Sequence, residues 1–399
     1  MSLIEQLRDE SIWRAFLEYK INGGHLSKKD QMELEKYIND KVYEPIVESI
    51  LQGDEFPIPT MKRINKKNNQ KKRTVYLFDD AENYVLKAIM FLLYKYDNLF
   101  TSNLYSFRRS ISVKTAVDRI MKKNVKAMYG YKVDIHDYFN SIDTDIMIHI
   151  LRNKIRDDDL LVSFISSILS QPKAYFDSDV IDCKKGIMAG VPISGFLANL
   201  YLEELDRWFY DRHILYARYS DDIIVFGETK ELVDEYKNKI NQFLSERKLN
   251  VNPDKEFEIR PGDKMDFLGF SFVNNQVDLS DVALQKMKDK MRRKARALLR
   301  WKAKKNVGSD KAIRAYIKYF NKKLFDNPNN NELTWCKWYF PIITTDRSLH
   351  ILDEYMVQNI RYISTGKHTK ANYNLTYDTI KSYGFRSLVN SYYKFDTDN

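Results

Sequence analysis

Two adjacent carboxylates constrain this chain more than any other feature. The stretch Tyr219-Ser220-Asp221-Asp222-Ile223-Ile224-Val225-Phe226 sets them between an extended run, Ile214-Leu215-Tyr216-Ala217-Arg218, and a β-branched apolar run. Both flanks read as strand, so Asp221 and Asp222 are expected in the turn of a tight hairpin. Neighbouring carboxylates repel, and a hairpin turn has no need of two. The arrangement makes sense if a divalent cation neutralises the pair. Taken alone, a solvated turn is the simpler account. The rest of the chain decides between them.

With 399 residues, 44% hydrophobic and 30% charged, the chain can build two or three subdomains around a real core. No apolar run approaches membrane-spanning length, and Met1-Ser2-Leu3-Ile4-Glu5-Gln6 lacks a basic segment followed by an apolar one. Neither a transmembrane helix nor a signal peptide is expected, and no membrane partner. Cys183 and Cys336 stand far apart, outside any Cys-x-x-Cys motif. That predicts free thiols, a cytoplasmic setting and no structural zinc. The formal charge of +10 favours a polyanionic partner, and 27 Tyr with 22 Phe would suit stacking on unpaired bases. A biased gene composition would also enrich Lys, Asn, Ile and Tyr, so charge gives a lean and no more.

Residues 1–54 read as a helical extension, with Ile4, Leu7, Ile12, Phe16 and Tyr19 at roughly helical spacing and a second helix start at Ser27-Lys28-Lys29-Asp30. Phe56-Pro57-Ile58-Pro59 marks a boundary. Strands over Met61–Ile64 and Arg73–Phe78 should flank the basic loop from Asn65 to Lys72. A long helix carrying Val85, Leu86, Ile89, Leu92 and Leu93 follows, then Ser102-Asn103-Leu104-Tyr105-Ser106-Phe107-Arg108-Arg109-Ser110 and a helix from Ser112. Arg108 and Arg109 would either grip template backbone or decorate a turn.

A second carboxylate cluster is Tyr131-Lys132-Val133-Asp134-Ile135-His136-Asp137. Ala127 to Ile135 reads as a strand that delivers Asp134 at its end. A strand-end Asp and two hairpin aspartates are the carboxylates a two-metal phosphoryl-transfer site needs. Lone His136 reads as structural, and Asp137 as local hydrogen bonding. One helix is expected through Leu151 to Leu169. The run from Gly186 to Leu202 then opens an apolar helix from a glycine loop, where Gly190 would let backbone approach a ligand closely and Asn199 interrupts an apolar face.

The order of these blocks resembles the palm of a reverse transcriptase over about residues 55–275. Asp134 resembles the first catalytic block, the glycine loop through Asn199 the second, and Ala217-Arg218-Tyr219-Ser220-Asp221-Asp222 the third. Leu249-Asn250-Val251-Asn252-Pro253-Asp254-Lys255 is similar to the fourth, and Met265-Asp266-Phe267-Leu268-Gly269-Phe270 to the primer-grip hairpin. Family members commonly carry Pro-Gln-Gly where this chain has Met188-Ala189-Gly190, and Ala where it has Ser220. The first departure bears on template or nucleotide handling; the second exchanges small for small.

The resemblance implies an α+β right-hand polymerase fold: fingers over 55–130, palm with primer grip over 131–275, basic thumb helices over 276–326, and a helical thumb or maturase-like RNA-binding region over 327–399. It implies that Asp134, Asp221 and Asp222 ligate two Mg²⁺ ions with help from the Ile135 carbonyl, Mn²⁺ substituting in vitro. Lys255 would serve the leaving pyrophosphate. Lys72 and Arg73 would bind the triphosphate of a dNTP, with Gly190 and Asn199 beside it. Phe139 would stack under the deoxyribose and clash with a 2′-hydroxyl. Phe267, Leu268 and Gly269 would hold the primer end.

Beyond the palm, Leu284, Met287, Met291, Ala295, Leu298 and Leu299 form a helical stripe. Lys290, Arg293, Lys294, Arg296 and Arg300 crowd the other faces, where Asp289 is the single acid. An ordinary solvated helix mixes signs, so this one should lie along the phosphates of a template–primer duplex. Asn327-Pro328-Asn329-Asn330-Asn331 reads as a linker. The aromatic and basic C-terminal segment either binds structured RNA or caps the fold. The expectation is a bacterial-type standalone reverse transcriptase without room for an RNase H domain, without a Cys/His cluster and without a Val-Thr-Gly triplet after the primer grip. By elimination it would copy a structured non-coding RNA into cDNA in antiphage defence. An intron maturase and a template-independent polymerase are the alternatives; primer and oligomeric state stay open.

Overall fold

The computed structural model describes residues 1–23, 26–65, 72–109, 111–177, 179–184, 186–325 and 334–397. The tip of the expected basic loop, 66–71, and the Asn327–Asn331 linker lie outside them. The fold is α+β, and contacts divide it into two units, Met1–Asn22 with Leu26–Pro261, and Gly262–Asn399. The expected primer grip therefore belongs with the C-terminal unit and the aspartates with the first.

The N-terminal residues are helical, with helices over Glu10–Asn22, Lys28–Asn39 and Tyr43–Gln52, and belong to the first unit. Ser27 caps the second by accepting from the Asp30 amide. Trp13 anchors the group: it stacks on Tyr43 with centroids 4.5 Å apart and donates its indole N–H to the Leu7 carbonyl. The helix expected over Leu151–Leu169 is two helices, Thr144–Lys154 and Asp159–Ser170. Ile155 leaves helical geometry, and buried Asp158 restarts the chain by accepting from the Leu161 amide. Its other contacts, to the Ser2 hydroxyl and Leu3 amide, tie the break to the N-terminus. A capping aspartate within an apolar period outweighs the continuity of that period.

The strands of this unit are β1 (Thr60–Asn65), β2 (Lys72–Leu77), β3 (Tyr129–Asp134), β4 (Lys173–Phe176), β5 (Asp179–Asp182), β6 (Tyr216–Tyr219), β7 (Asp222–Gly227) and β8 (Phe257–Ile259). One sheet runs β2-β1-β4-β5 and the other β6-β7-β3-β8. Ile223, Ile224, Val225 and Phe226 of β7 are all buried, since the strand is interior to its sheet and covered by the helix Lys230–Glu246. That double burial is why the run shows no alternation.

In the second unit, β9 (Met265–Phe267), β10 (Phe270–Val273) and β11 (Gln276–Leu279) make an antiparallel meander. Leu268-Gly269 and Asn274-Asn275 form its turns, and all four residues have positive φ. This is the geometry a two-residue hairpin of right-handed twist demands. The helix Asp281–Lys305 follows and buries Met287, Met291, Ala295 and Leu298 of the expected stripe. It packs on the helix Arg347–Thr365, which also meets the helix Ser309–Leu324. Among the described residues, no helix is long and apolar enough to cross a membrane.

Candidate active site

β3 and β7 pair antiparallel so that Asp134 stands directly across from Asp222. The hairpin turn differs from the expectation by one residue. Ser220 and Asp221 make the turn, while Asp222 opens β7 opposite Tyr219. The shift places Asp222 in the ladder and leaves Asp221 at the tip. Ser220 takes φ 61°, and its amide donates to the Ser106 hydroxyl at 2.9 Å. The Ile135 amide donates to the Asp221 carbonyl at 3.0 Å, so the end of β3 is tied to the turn. The next segment closes the opposite side: the Asn252 amide donates to the Asp134 carbonyl at 2.8 Å.

The carboxylates sit close together in a poorly solvated place. Burial pushes Asp221 up, reinforced by the Asp134 charge and opposed by Lys255 and Arg73. Burial also raises Asp222, to about 7, against the pull of Lys132. Lys255 donates to Asp134 Oδ1 at 2.6 Å, and Asn252 Nδ2 to Oδ2 at 3.3 Å. Lys132 Nζ stands 3.6 Å from Asp222 Oδ1, a buried oxygen that accepts no hydrogen bond. As the side chains are placed, no three His, Cys, Asp or Glu among the described residues form a cage for an ion. Lys255 pairs with Asp134, and Lys132 is the cation nearest Asp222. The donor chemistry nonetheless fits a hard divalent cation: clustered carboxylate oxygens, one of them buried and unsatisfied.

The other expected residues divide into two groups. Arg73 on β2 is exposed, and its charge acts on Asp221. Neighbouring Lys72 is exposed on the same strand. Gly190 has φ 103°, and a Cβ there would lie 3.0 Å from the Tyr76 carbonyl, whose residue donates its amide to Ala189. The glycine thus lets its loop dock on β2. Phe139 is half-buried and edge-on to Phe107 and Tyr138. Gly186, at φ 55°, approaches so closely that a Cβ would meet the Phe139 carbonyl at 2.3 Å. Gly186→Ala should therefore lower stability by about 1–3 kcal/mol through positive φ and collision together. A denaturant titration showing an unchanged midpoint would contradict this.

Asn199, expected beside the nucleotide, is fully buried. Its side chain pairs with the Ser106 hydroxyl and carbonyl at 3.0 and 2.8 Å. Arg108, expected on the template, is turned inward onto Asp97 and the Thr101 carbonyl. Arg109 lies over the rings of Tyr19, Phe91 and Tyr94. Each has a packing partner already. In the second unit, Arg293, Arg296 and Arg300 are exposed along their helix, Lys290 is half-buried, and Lys294 lies over Tyr319. Phe267 is buried in β9 beside the Leu268-Gly269 turn.

Arg218, in the sequence merely one residue of the third block, supports the turn from behind. It is fully buried behind the Ser220-Asp221 turn, bidentate to buried Asp206, with further bonds to the Ser220 and Asn199 carbonyls, each at 3.1 Å. Tyr216 completes the network through its hydroxyl on Asp206 at 2.9 Å. Burial raises Asp206, with Arg218 pulling the other way. The signal was present as a charge within the apolar run Tyr216-Ala217-Arg218-Tyr219, but its partner lies on another element.

The sequence profile described as "Reverse transcriptase (RNA-dependent DNA polymerase)" matches residues 42–272. The chain is 24% identical over 253 residues to the group II intron-encoded protein LtrA of Lactococcus lactis subsp. cremoris, covering 61% of this chain. It spans 41% of that relative's length. Among solved structures, telomerase from Candida tropicalis with a fragment of telomeric RNA aligns with TM-score 0.47 at 14% identity, over 84% of this chain and 62% of that one. Telomerase from Candida albicans aligns with TM-score 0.46 at 11% identity, over 87% and 68%.

Proposed function

This chain belongs to the reverse transcriptase family, and on that premise we propose that it is an RNA-directed DNA polymerase, extending a nucleic-acid 3′-hydroxyl with dNTPs. The observation that carries the proposal is the pairing of Asp134 with Asp222 beside the Asp221 turn, where half-buried carboxylates crowd together and one buried oxygen accepts no hydrogen bond. Asp134 and Asp221 are the residues that would hold divalent cations, Mg²⁺ with Mn²⁺ as its in vitro substitute, and Asp222 supports them with the Ile135 carbonyl. Such ions, when bound, would make the primer hydroxyl a better nucleophile and steady the triphosphate. Lys255 exchanges its partner Asp134 for the leaving pyrophosphate. Arg73 and Lys72 meet the triphosphate from β2, and Phe139 excludes a 2′-hydroxyl. The exposed arginines of the helix Asp281–Lys305 meet the phosphates of an RNA–DNA duplex, with Phe267, Leu268 and Gly269 at the primer end.

The template we assign is a structured non-coding RNA, copied into cDNA in antiphage defence. The absence of a Val-Thr-Gly triplet after Gly269 supports this. A second reading, an intron-type maturase acting mainly through RNA, is favoured by the intron-encoded relative.

Sequencing of nucleic acids that co-purify with wild type and with Asp221→Ala/Asp222→Ala separates the readings. One dominant non-coding RNA in both, with complementary DNA in wild type alone, is the expected result. Intron RNA without a DNA difference would select the maturase. Wild-type DNA matching no RNA would mean untemplated synthesis.

A further inference from the structure

Phe107 holds a conformation that a phenylalanine has no intrinsic reason to adopt. Its φ is 52°, and its side chain is 43% exposed. A bulky residue at positive φ is a backbone outlier, kept when the surroundings over-determine it. Both neighbours do so. Ser106 accepts from the Ser220 amide of the catalytic turn and pairs with buried Asn199. Arg108 is clamped onto Asp97 and the Thr101 carbonyl. Between these anchors the ring lies over Gly195, where a Cβ would come within 2.7 Å of Cγ. Any side chain at this helix glycine would displace the ring.

The position so enforced is edge-on to Phe139, with centroids 6.2 Å apart and planes at 84°. Phe139 itself is only half-buried, and its other ring contact is with Tyr138. We infer that Phe107 is the second wall of the sugar subsite, fixing the Phe139 ring and so setting the discrimination between deoxyribonucleoside and ribonucleoside triphosphates. This rests on the reading of Phe139 as the residue that excludes a 2′-hydroxyl. Phe107 thus acts through Phe139 as a positioning residue. A packing residue of ordinary kind would be buried and free of backbone strain, and Phe107 is neither. The bond from the Ser220 amide to neighbouring Ser106 also ties the wall to the aspartate turn.

The test is primer extension by the full chain with a matched dNTP and rNTP, measured as the ratio of their kcat/KM values. A general structural loss lowers both nucleotides alike, whereas a loosened wall changes the ratio. Phe139→Ala should collapse the ratio. Phe107→Ala should lower it by about 3- to 10-fold, the worth of one edge-to-face ring contact, and Phe107→Tyr should restore it. If Phe139→Ala collapses the ratio and Phe107→Ala leaves it at the wild-type value, the inference is wrong and the sugar-wall reading stands. An unchanged ratio in Phe139→Ala would sink that reading and the inference together. Should Phe107→Ala not fold, Phe107→Leu decides: it fills the space without an aromatic edge, and a wild-type ratio in it would overturn the inference.

Discussion

Replacing Asp221 and Asp222 together by Ala is expected to reduce nucleotide incorporation by at least about 10³-fold, because the groups that would bind cations and place the 3′-hydroxyl are lost at once. The fold should survive. Both carboxylates are held up by burial and Asp222 Oδ1 has no hydrogen bond, so beyond the 3.6 Å approach of Lys132 the protein gives up little native contact when they go. The two outcomes are separable by measuring thermal midpoints with and without Mg²⁺. Wild type should gain stability on adding the ion, as any ligand of the native state confers, and the double variant should not. A Mg²⁺-dependent rise of equal size in both proteins would place the ion elsewhere and defeat the assignment.

Arg218→Met is expected to cost about 3–5 kcal/mol of stability, since it abandons Asp206 as an unpaired charge in a sealed interior. Arg218 and Asp206 are both essentially inaccessible, and burial already raises the Asp206 carboxyl with the guanidinium in place. The loss should exceed that of the double variant Arg218→Met/Asp206→Leu, in which no charge is stranded. Denaturant titrations of the three proteins test this, and a loss below about 1 kcal/mol in the single variant would deny the network its structural weight. Activity should fall as well. The guanidinium is bonded to the Ser220 carbonyl, and its own backbone is laced to Asn103 and Tyr105, so the turn loses its backing.

The blocks that match the family were legible because each is local. A β-branched run, a strand-end aspartate and a glycine loop carry their own conformational preferences, and their order along the chain is a property of the sequence. The same holds for the stripe of Met287, Met291, Ala295 and Leu298, where helical periodicity alone selects the buried face. Where locality failed, a specific competitor is visible. Asp158 broke an apolar period by capping, and the two-residue turn settled on Ser220-Asp221 because register across β6 and β7 pairs Tyr219 with Asp222.

Residue type by itself determined that clustered carboxylates, a strongly basic helix and the ordered blocks of the reverse transcriptase family are present in this protein. Only tertiary structure decided which polar residues face outward. Arg108 and Asn199 look like ligand groups in one dimension, yet Asp97 and Ser106 have claimed them, while Arg109 stays exposed over a cluster of rings. The physical reason is that a buried polar group must find its partner wherever the fold brings one, and such partners lie far away in sequence: Asn199 and Ser106 are separated by 93 positions. Periodicity reports the face a residue occupies; it carries no information about who waits on the other side.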